Sequence, residues 1–85
     1  MPTWHIHIQG QVQGVGFRPF VYKLAHRCRL TGWVNNTLDG VHIEVEAAEE
    51  EARAFLQVLL EEAPRLARIT NYDFKEVRGK GFTDF

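Results

Sequence analysis

The apolar pattern of this chain changes period, from two to that of a helix, across Gly10-Gln11-Val12-Gln13-Gly14-Val15-Gly16-Phe17-Arg18-Pro19. That junction constrains the fold more than any other stretch. Before it, Trp4, Ile6, Ile8 and Val12 share one parity while His5, His7, Gln9 and Gln11 take the other, which predicts a strand with one covered face. After it, Val21, Leu24, Ala25 and Cys28 fall at helical spacing, and Pro19 suits the first helical position because its missing N–H would be unpaired there anyway. Cys28 lies on the apolar stripe and is expected as a buried thiol; as the one cysteine of the chain it has no internal disulfide partner. Gly14 and Gly16 allow the connecting backbone to turn its N–H groups inward, and the helix end beyond them carries partial positive charge. With the permanent, forked cation of Arg18 at the junction, the segment reads as a cradle for a phosphate or a carboxylate.

Two familiar phosphate motifs are excluded by the same residues. A P-loop needs Gly-Lys followed by Ser or Thr, whereas Gly16 is followed by Phe17 and Arg18. The dinucleotide fingerprint fails on spacing, and 85 residues cannot supply the doubly wound sheet that such a cofactor spans. A formal net charge of −1 provides no broad basic field, so anion recognition has to be local and nucleic acid is not implied as a partner. The sequence contains no signal peptide and no long apolar run, so no membrane span is expected and a cytoplasmic location is.

The remaining patterns complete one small domain. Residues 32 to 37 read as a short strand, Leu38-Asp39-Gly40 as a turn, and Val41, Ile43 and Val45 alternate with His42, Glu44 and Glu46. From 48 to 62, Ala52, Phe55, Leu56, Leu59, Leu60 and Ala63 mark an amphipathic helix that Pro64 ends. Glu49, Glu50 and Glu51 fall in its first turn, where they oppose the positive helix end. Residues 67 to 77 look like a strand of unclear register, because Ile69 and the Tyr72/Phe74 pair have opposite parity, and a further strand is expected to begin near Phe82. The order strand–helix–strand–strand–helix–strand predicts an α+β fold. It is a ferredoxin-like (split βαβ) sandwich, with an antiparallel four- or five-stranded sheet and both helices on one face. Ile6, Ile8, Leu24, Val34, Val41, Ile43, Phe55, Leu56 and Leu59 are the expected core.

Gly-Gln-Val-Gln-Gly-Val-Gly-Phe-Arg at 10 to 18, followed by Gly-Trp-Val-Asn-Asn-Thr at 32 to 37, resembles the paired signature of acylphosphatases, small enzymes that hydrolyse the carboxyl–phosphate bond. Arg-Pro-Phe-Val-Tyr-Lys-Leu-Ala at 18 to 25 and Leu-Ala-Arg-Ile at 66 to 69 resemble still more closely the acylphosphatase-like N-terminal domain of HypF-type carbamoyltransferases, which serve nickel–iron hydrogenase maturation. The resemblance implies the same fold with a further edge strand, so residues 1–85 are expected to be one acylphosphatase-like domain cut from a longer chain near its last strand. It implies that the backbone of Gln13, Gly14, Val15, Gly16, Phe17 and Arg18 surrounds a phosphoryl group and that the Arg18 side chain pairs with two of its oxygens. It also implies that Asn36 directs the attacking water. Without the resemblance Asn36 reads as a turn-stabilising amide ahead of Leu38-Asp39-Gly40.

The implied substrate is an acyl phosphate, carbamoyl phosphate for the HypF type. The whole protein would then use ATP and zinc bound elsewhere and pass the carbamoyl group to a partner protein's cysteine, with no cofactor in this domain. A stand-alone acylphosphatase and a non-catalytic phosphate-binding module are the alternatives. His5, His7 and His42 could approach one another as zinc or copper ligands, but solvent-face histidines opposite glutamates are a common structural outcome, and no metal site is expected. Trp4, Trp33, Tyr72 and Phe74 invite comparison with base-stacking sheets; the expected basic-aromatic run is missing, and core packing is the reading adopted.

Overall fold

Alternating and helical patterns become six elements in the computed structural model, which describes residues 1–79, 81 and 85. They are β1 (Thr3–Gln11), α1 (Phe17–Arg27), β2 (Thr31–Thr37), β3 (Gly40–Glu46), α2 (Glu49–Glu61) and β4 (Arg68–Val77). The four strands form one antiparallel sheet in the order β2-β3-β1-β4, as the split βαβ reading requires. The strand expected near Phe82 lies outside the described residues. Among the described residues, no helix is long and apolar enough to cross a membrane.

Register decides what each face of the sheet carries. Trp4, Ile6 and Ile8 stand opposite Val45, Ile43 and Val41, and both rows are buried in a single core with Phe17, Val21, Leu24 and Ala25 of α1 and Ala52, Phe55, Leu56 and Leu59 of α2. Both helices therefore cover the same face. Fully burying an aliphatic or aromatic side chain of this kind contributes about 1.5–3 kcal/mol, and the strand alternation leaves the other parity, His5, His7, His42 and Glu44, on the opposite face. Trp4 stacks on Phe74 with ring centroids 5.0 Å apart and donates its Nε1–H to the Ala47 carbonyl at 3.0 Å.

The ambiguous parity of the last strand has a local cause. Gln9 pairs with Asn71 and Gly10 with Ile69, so Thr70 is an extra residue without a partner, a bulge that shifts the strand by one. The shift places Ile69, Tyr72 and Phe74 opposite Gly10, Ile8 and Ile6, all of one parity, and Ile69 and Phe74 both pack against the core. Gly10 is required there: its φ is 129°, and a Cβ would run into the Arg68 carbonyl oxygen.

Four expectations need correction. Cys28 is exposed, because α1 ends at Arg27 and Arg29 turns the chain through a left-handed conformation (φ 58°), so that Leu30 enters the core in its place. Pro19 is the third helical residue, not the first; the helix begins at Phe17, and the proline still falls in the first turn, where no intrahelical N–H is needed. Val34 is half-buried because it borders an open cleft. Of the four aromatics assigned to the core, Trp33 lies on the opposite face edge-on to His5 (6.1 Å), and Tyr72 stays exposed on the edge strand β4.

At the start of α2 the sequence reading holds. Glu49, Glu50 and Glu51 occupy the first turn, and the Glu51 carboxylate accepts from the Ala48 backbone N–H at 3.2 Å, satisfying a donor that the helix leaves free.

Candidate active site

A helix N-terminus exposes backbone N–H groups that have no intrahelical acceptor. In α1 the first such bond runs from Phe20 N–H to the Gly16 carbonyl at 3.2 Å, and Pro19 has no N–H, so Phe17 and Arg18 are the helical residues with free donors. Gly14 and Gly16 both adopt positive φ, 70° and 80°, with nothing near the position of a Cβ, and Gly16 is the residue that caps the helix. No acidic side chain sits in the first turn, so the partial positive charge of that end is not neutralised from within α1.

The helix end forms one wall of a cleft of about 460 Å³. Gly14, Gly16, Phe17 and Arg18 line it from the loop and helix, while Val34 and Asn36 line it from β2. Arg18 is exposed, and among the described residues it enters no ion pair, leaving its guanidinium available to an anion. Asn36 is placed by strand parity: it stands opposite Val41, whereas Asn35 stands opposite His42 on the other face and is exposed. The Asn36 side-chain oxygen is buried and finds no hydrogen-bond donor among the described residues. An unmet buried acceptor of this kind costs about 1–3 kcal/mol, and a water held in the cleft would satisfy it.

The structure thus gathers Gly14, Gly16, Phe17, Arg18 and Asn36 around one space. Gln13 and Val15 do not line it. They border an adjoining depression with Leu38, Asp39 and Gly40, and the Gln13 side-chain amide donates to the Thr37 carbonyl, tying the loop to the end of β2. The turn that follows is braced in its own way. The Asp39 carboxyl group accepts from the Thr37 hydroxyl and lies beside the His42 and His7 rings, and these contacts, the hydroxyl's first, hold its pKa below the usual value. Tyr22 and Pro19, which also border the cleft, are residues that sequence reasoning did not assign to the site; Tyr22 follows Arg18 at the four-residue spacing that puts both on one side of a helix.

Comparison with known proteins agrees with this geometry. The family described as Acylphosphatase matches residues 4–85. The chain is 43% identical over 81 residues to a probable carbamoyltransferase HypF of Methanocaldococcus jannaschii, covering 94% of this chain and 11% of that protein. It is also 41% identical over 86 residues to an acylphosphatase of Pseudothermotoga lettingae, covering all of this chain and 96% of the relative. Among solved structures, full-length HypF in a phosphate- and nucleotide-bound form superposes with a TM-score of 0.94 at 42% identity over 99% of this chain and 11% of that one. The acylphosphatase of Bacillus subtilis does so at 0.89 and 34%, covering 100% of this chain and 96% of that one. A strand, a glycine-turned helix end and an asparagine strand enclosing one cleft, in a chain matched almost end to end, make this domain a member of the acylphosphatase family.

Proposed function

We propose that this domain hydrolyses an acyl phosphate, with carbamoyl phosphate as its substrate, as the N-terminal unit of a HypF-type carbamoyltransferase acting in hydrogenase maturation. The observation that carries the reading is the convergence of Arg18, at a helix end with free N–H donors, and Asn36, with an unmet acceptor, on one cleft. Relatives that are carbamoyltransferases, at 43% and 39% identity, support the substrate assignment.

The chemistry asks little of the protein beyond placement. A carboxylate leaves an acyl phosphate readily without prior protonation, so the site needs to hold the phosphoryl group, offset its negative charge and direct a water in line with the leaving oxygen. Backbone N–H groups of Gly14, Gly16, Phe17 and Arg18, the loop residues that line the cleft, would hold the phosphoryl oxygens. Arg18 would pair with two of them through its fork. Asn36 would accept a hydrogen from the attacking water through Oδ1, fixing the direction of its lone pair. No cofactor enters this scheme. ATP, zinc and the protein that receives the carbamoyl group belong, in this proposal, to the rest of a cytoplasmic carbamoyltransferase.

A stand-alone acylphosphatase is the second reading, favoured by relatives whose whole length this chain nearly matches. Steady-state release of inorganic phosphate from carbamoyl phosphate and from benzoyl phosphate tests the shared core of both. Comparable turnover of the two substrates supports the general hydrolase, and preference for carbamoyl phosphate supports the carbamoyltransferase unit. Binding of carbamoyl phosphate without turnover of either would replace hydrolysis with a docking role.

A further inference from the structure

The sheet face away from the helices carries a group of side chains that the hydrolytic cleft does not use. His7 of β1, His42 of β3 and Asp39 of the β2–β3 turn bring three ligand atoms within 4.8 Å of one another. His42 Nε2 lies 3.3 Å from one Asp39 carboxylate oxygen, and His7 Nε2 lies 3.8 Å from the other. The two imidazoles stack with centroids 4.1 Å apart and planes 10° from parallel, so both present Nε2 to the same carboxylate. Both rings are about four-fifths withdrawn from solvent, at 18% and 22% side-chain exposure, while Asp39 is open at 64%.

With both rings neutral, hydrogen bonding behind His42 fixes which of its nitrogens carries the proton. Glu44 Oε2 lies 2.8 Å from His5 Nδ1, and a carboxylate can only accept, so that nitrogen is the donor. In neutral His5 the other nitrogen, Nε2, is then an acceptor, and it lies 2.9 Å from His42 Nδ1, which must donate to it. The chain Glu44–His5–His42 therefore leaves neutral His42 with a lone pair on Nε2, aimed at a carboxylate oxygen that is also an acceptor. Two acceptors facing each other at 3.3 Å repel unless a cation, either a proton on Nε2 or a metal ion, lies between them. Metal-bound histidines have this arrangement as a rule: the free ring nitrogen donates to an outer partner that fixes the tautomer and raises the basicity of the ligating one.

We infer that His7, Asp39 and His42 form a binding site for a first-row transition-metal dication of the zinc type, with His5 and Glu44 as the outer partners that orient His42. Two imidazoles and one carboxylate suit that class, and neighbouring ligand atoms around a tetrahedral ion bound at about 2.0–2.1 Å lie about 3.3 Å apart. His42 stands at this distance from one Asp39 oxygen, His7 at 3.8 Å from the other, and all three ligand atoms lie within 4.8 Å, so the ring of His7 and the exposed carboxylate have to close on the ion. His7 Nε2 now lies 2.8 Å from the Asp39 carbonyl and, as donor there, carries a proton. On binding the ion it takes the other neutral tautomer, with the proton on Nδ1, so no net charge is lost from the ring. Three protein ligands leave a coordination position for water. The ion would join β1, β3 and the turn between β2 and β3, next to the end of β2 where the Thr37 carbonyl receives the Gln13 amide from the phosphate loop.

The test uses zinc ion alone and no substrate, so its outcome is independent of the hydrolytic proposal. Calorimetric titration of the 85-residue chain with zinc, against a competing chromophoric chelator, is expected to show one site. Asp39→Asn, an exposed and nearly isosteric change, weakens binding at least tenfold, as does His42→Ala. Glu44→Gln weakens it by about 10- to 100-fold through the orienting chain. His26→Gln, on the exposed surface of α1, leaves it unchanged. Circular dichroism confirms that each variant is folded, and broadening of the His7 and His42 ring signals by cobalt identifies the ligands. Absence of zinc binding by the native chain, binding insensitive to both Asp39→Asn and His42→Ala, or equal loss in His26→Gln overturns the assignment.

Discussion

Gly16→Ala separates the geometry of the phosphate loop from the stability of the domain. The residue sits at φ 80°, and a Cβ added there meets no atom within 4 Å, so the substitution introduces no collision. What remains is the intrinsic penalty for an L-residue in the left-handed region, about 1–2 kcal/mol. The loop that would have to bear this penalty is lightly held: it belongs to neither β1 nor α1, and its backbone tie to the helix is the 3.2 Å bond from Phe20 N–H to the Gly16 carbonyl. The free variant therefore relaxes, and the loop must be driven back when an anion binds. The penalty then falls on affinity, as a loss of about 5- to 30-fold for 1–2 kcal/mol. Inorganic phosphate as a competitive inhibitor of benzoyl phosphate hydrolysis measures that loss, and thermal unfolding without phosphate measures the rest. If the loop held its turn rigidly, the same penalty would lower the melting temperature by about 4–8 °C per kcal/mol in a domain of this size. An unchanged inhibition constant together with a full melting-temperature drop would refute the reasoning, because the strain would then reside in the free protein.

Arg18→Ala is expected to reduce both binding and turnover, since the phosphoryl charge is already present in the ground state, whereas Asn36→Ala should lower kcat by about 10²–10³ with little change in KM; steady-state kinetics on benzoyl phosphate reads both, and native-like turnover of the Asn36 variant removes it from the mechanism. Leu59→Ala empties a fully buried position between α2 and the sheet and should cost about 2–5 kcal/mol by urea unfolding. Trp4→Phe keeps most of the stacking on Phe74 but leaves the Ala47 carbonyl without its indole donor, a loss of about 1–3 kcal/mol in the same assay. Arg27→Ala breaks an ion pair with Glu62 whose members are both more than half exposed, and the unfolding midpoint should barely move.

Strand alternation made the sheet faces legible, because one-sided covering writes itself into parity: Trp4, Ile6 and Ile8, and separately Val41, Ile43 and Val45, are assigned to a covered face from the sequence, while the register that pairs the two rows comes from the structure. The cleft was legible for a different reason. Glycines flanking an arginine at a strand-to-helix junction have few structural uses in combination, and Asn36 was located by family resemblance, its parity then agreeing with the cleft. Three features are not placed from the sequence, although the parity break between Ile69 and the Tyr72/Phe74 pair does mark the first. The bulge at Thr70 is made by a residue type common in strands, and its requirement falls on Gly10, sixty positions earlier in the chain. The end of α1 is set by Arg29 in a conformation that glycine would have announced and arginine does not, which is why Cys28 was placed inside. Asp39 lies in a turn, where no periodicity tells which way a side chain points, so the histidines could be grouped from parity while the carboxylate beside them could not.

The position of β1 at the centre of the sheet has a consequence for the order in which the molecule can assemble. Its neighbour β4 is the last element of the described chain, and Ile6 meets Phe74 only after nearly everything between them has been made. During synthesis the first strand emerges with one apolar face and two open edges, and the hairpin of β2 and β3 can cover one edge while the other waits for residues 68–77. Pairings between such distant segments are slow to form compared with helical contacts. The same β1 feeds directly into the phosphate loop, and the residues that line the cleft all fall between Val12 and Asn36, so the walls of the site are synthesised well before the strand that closes the second edge of β1.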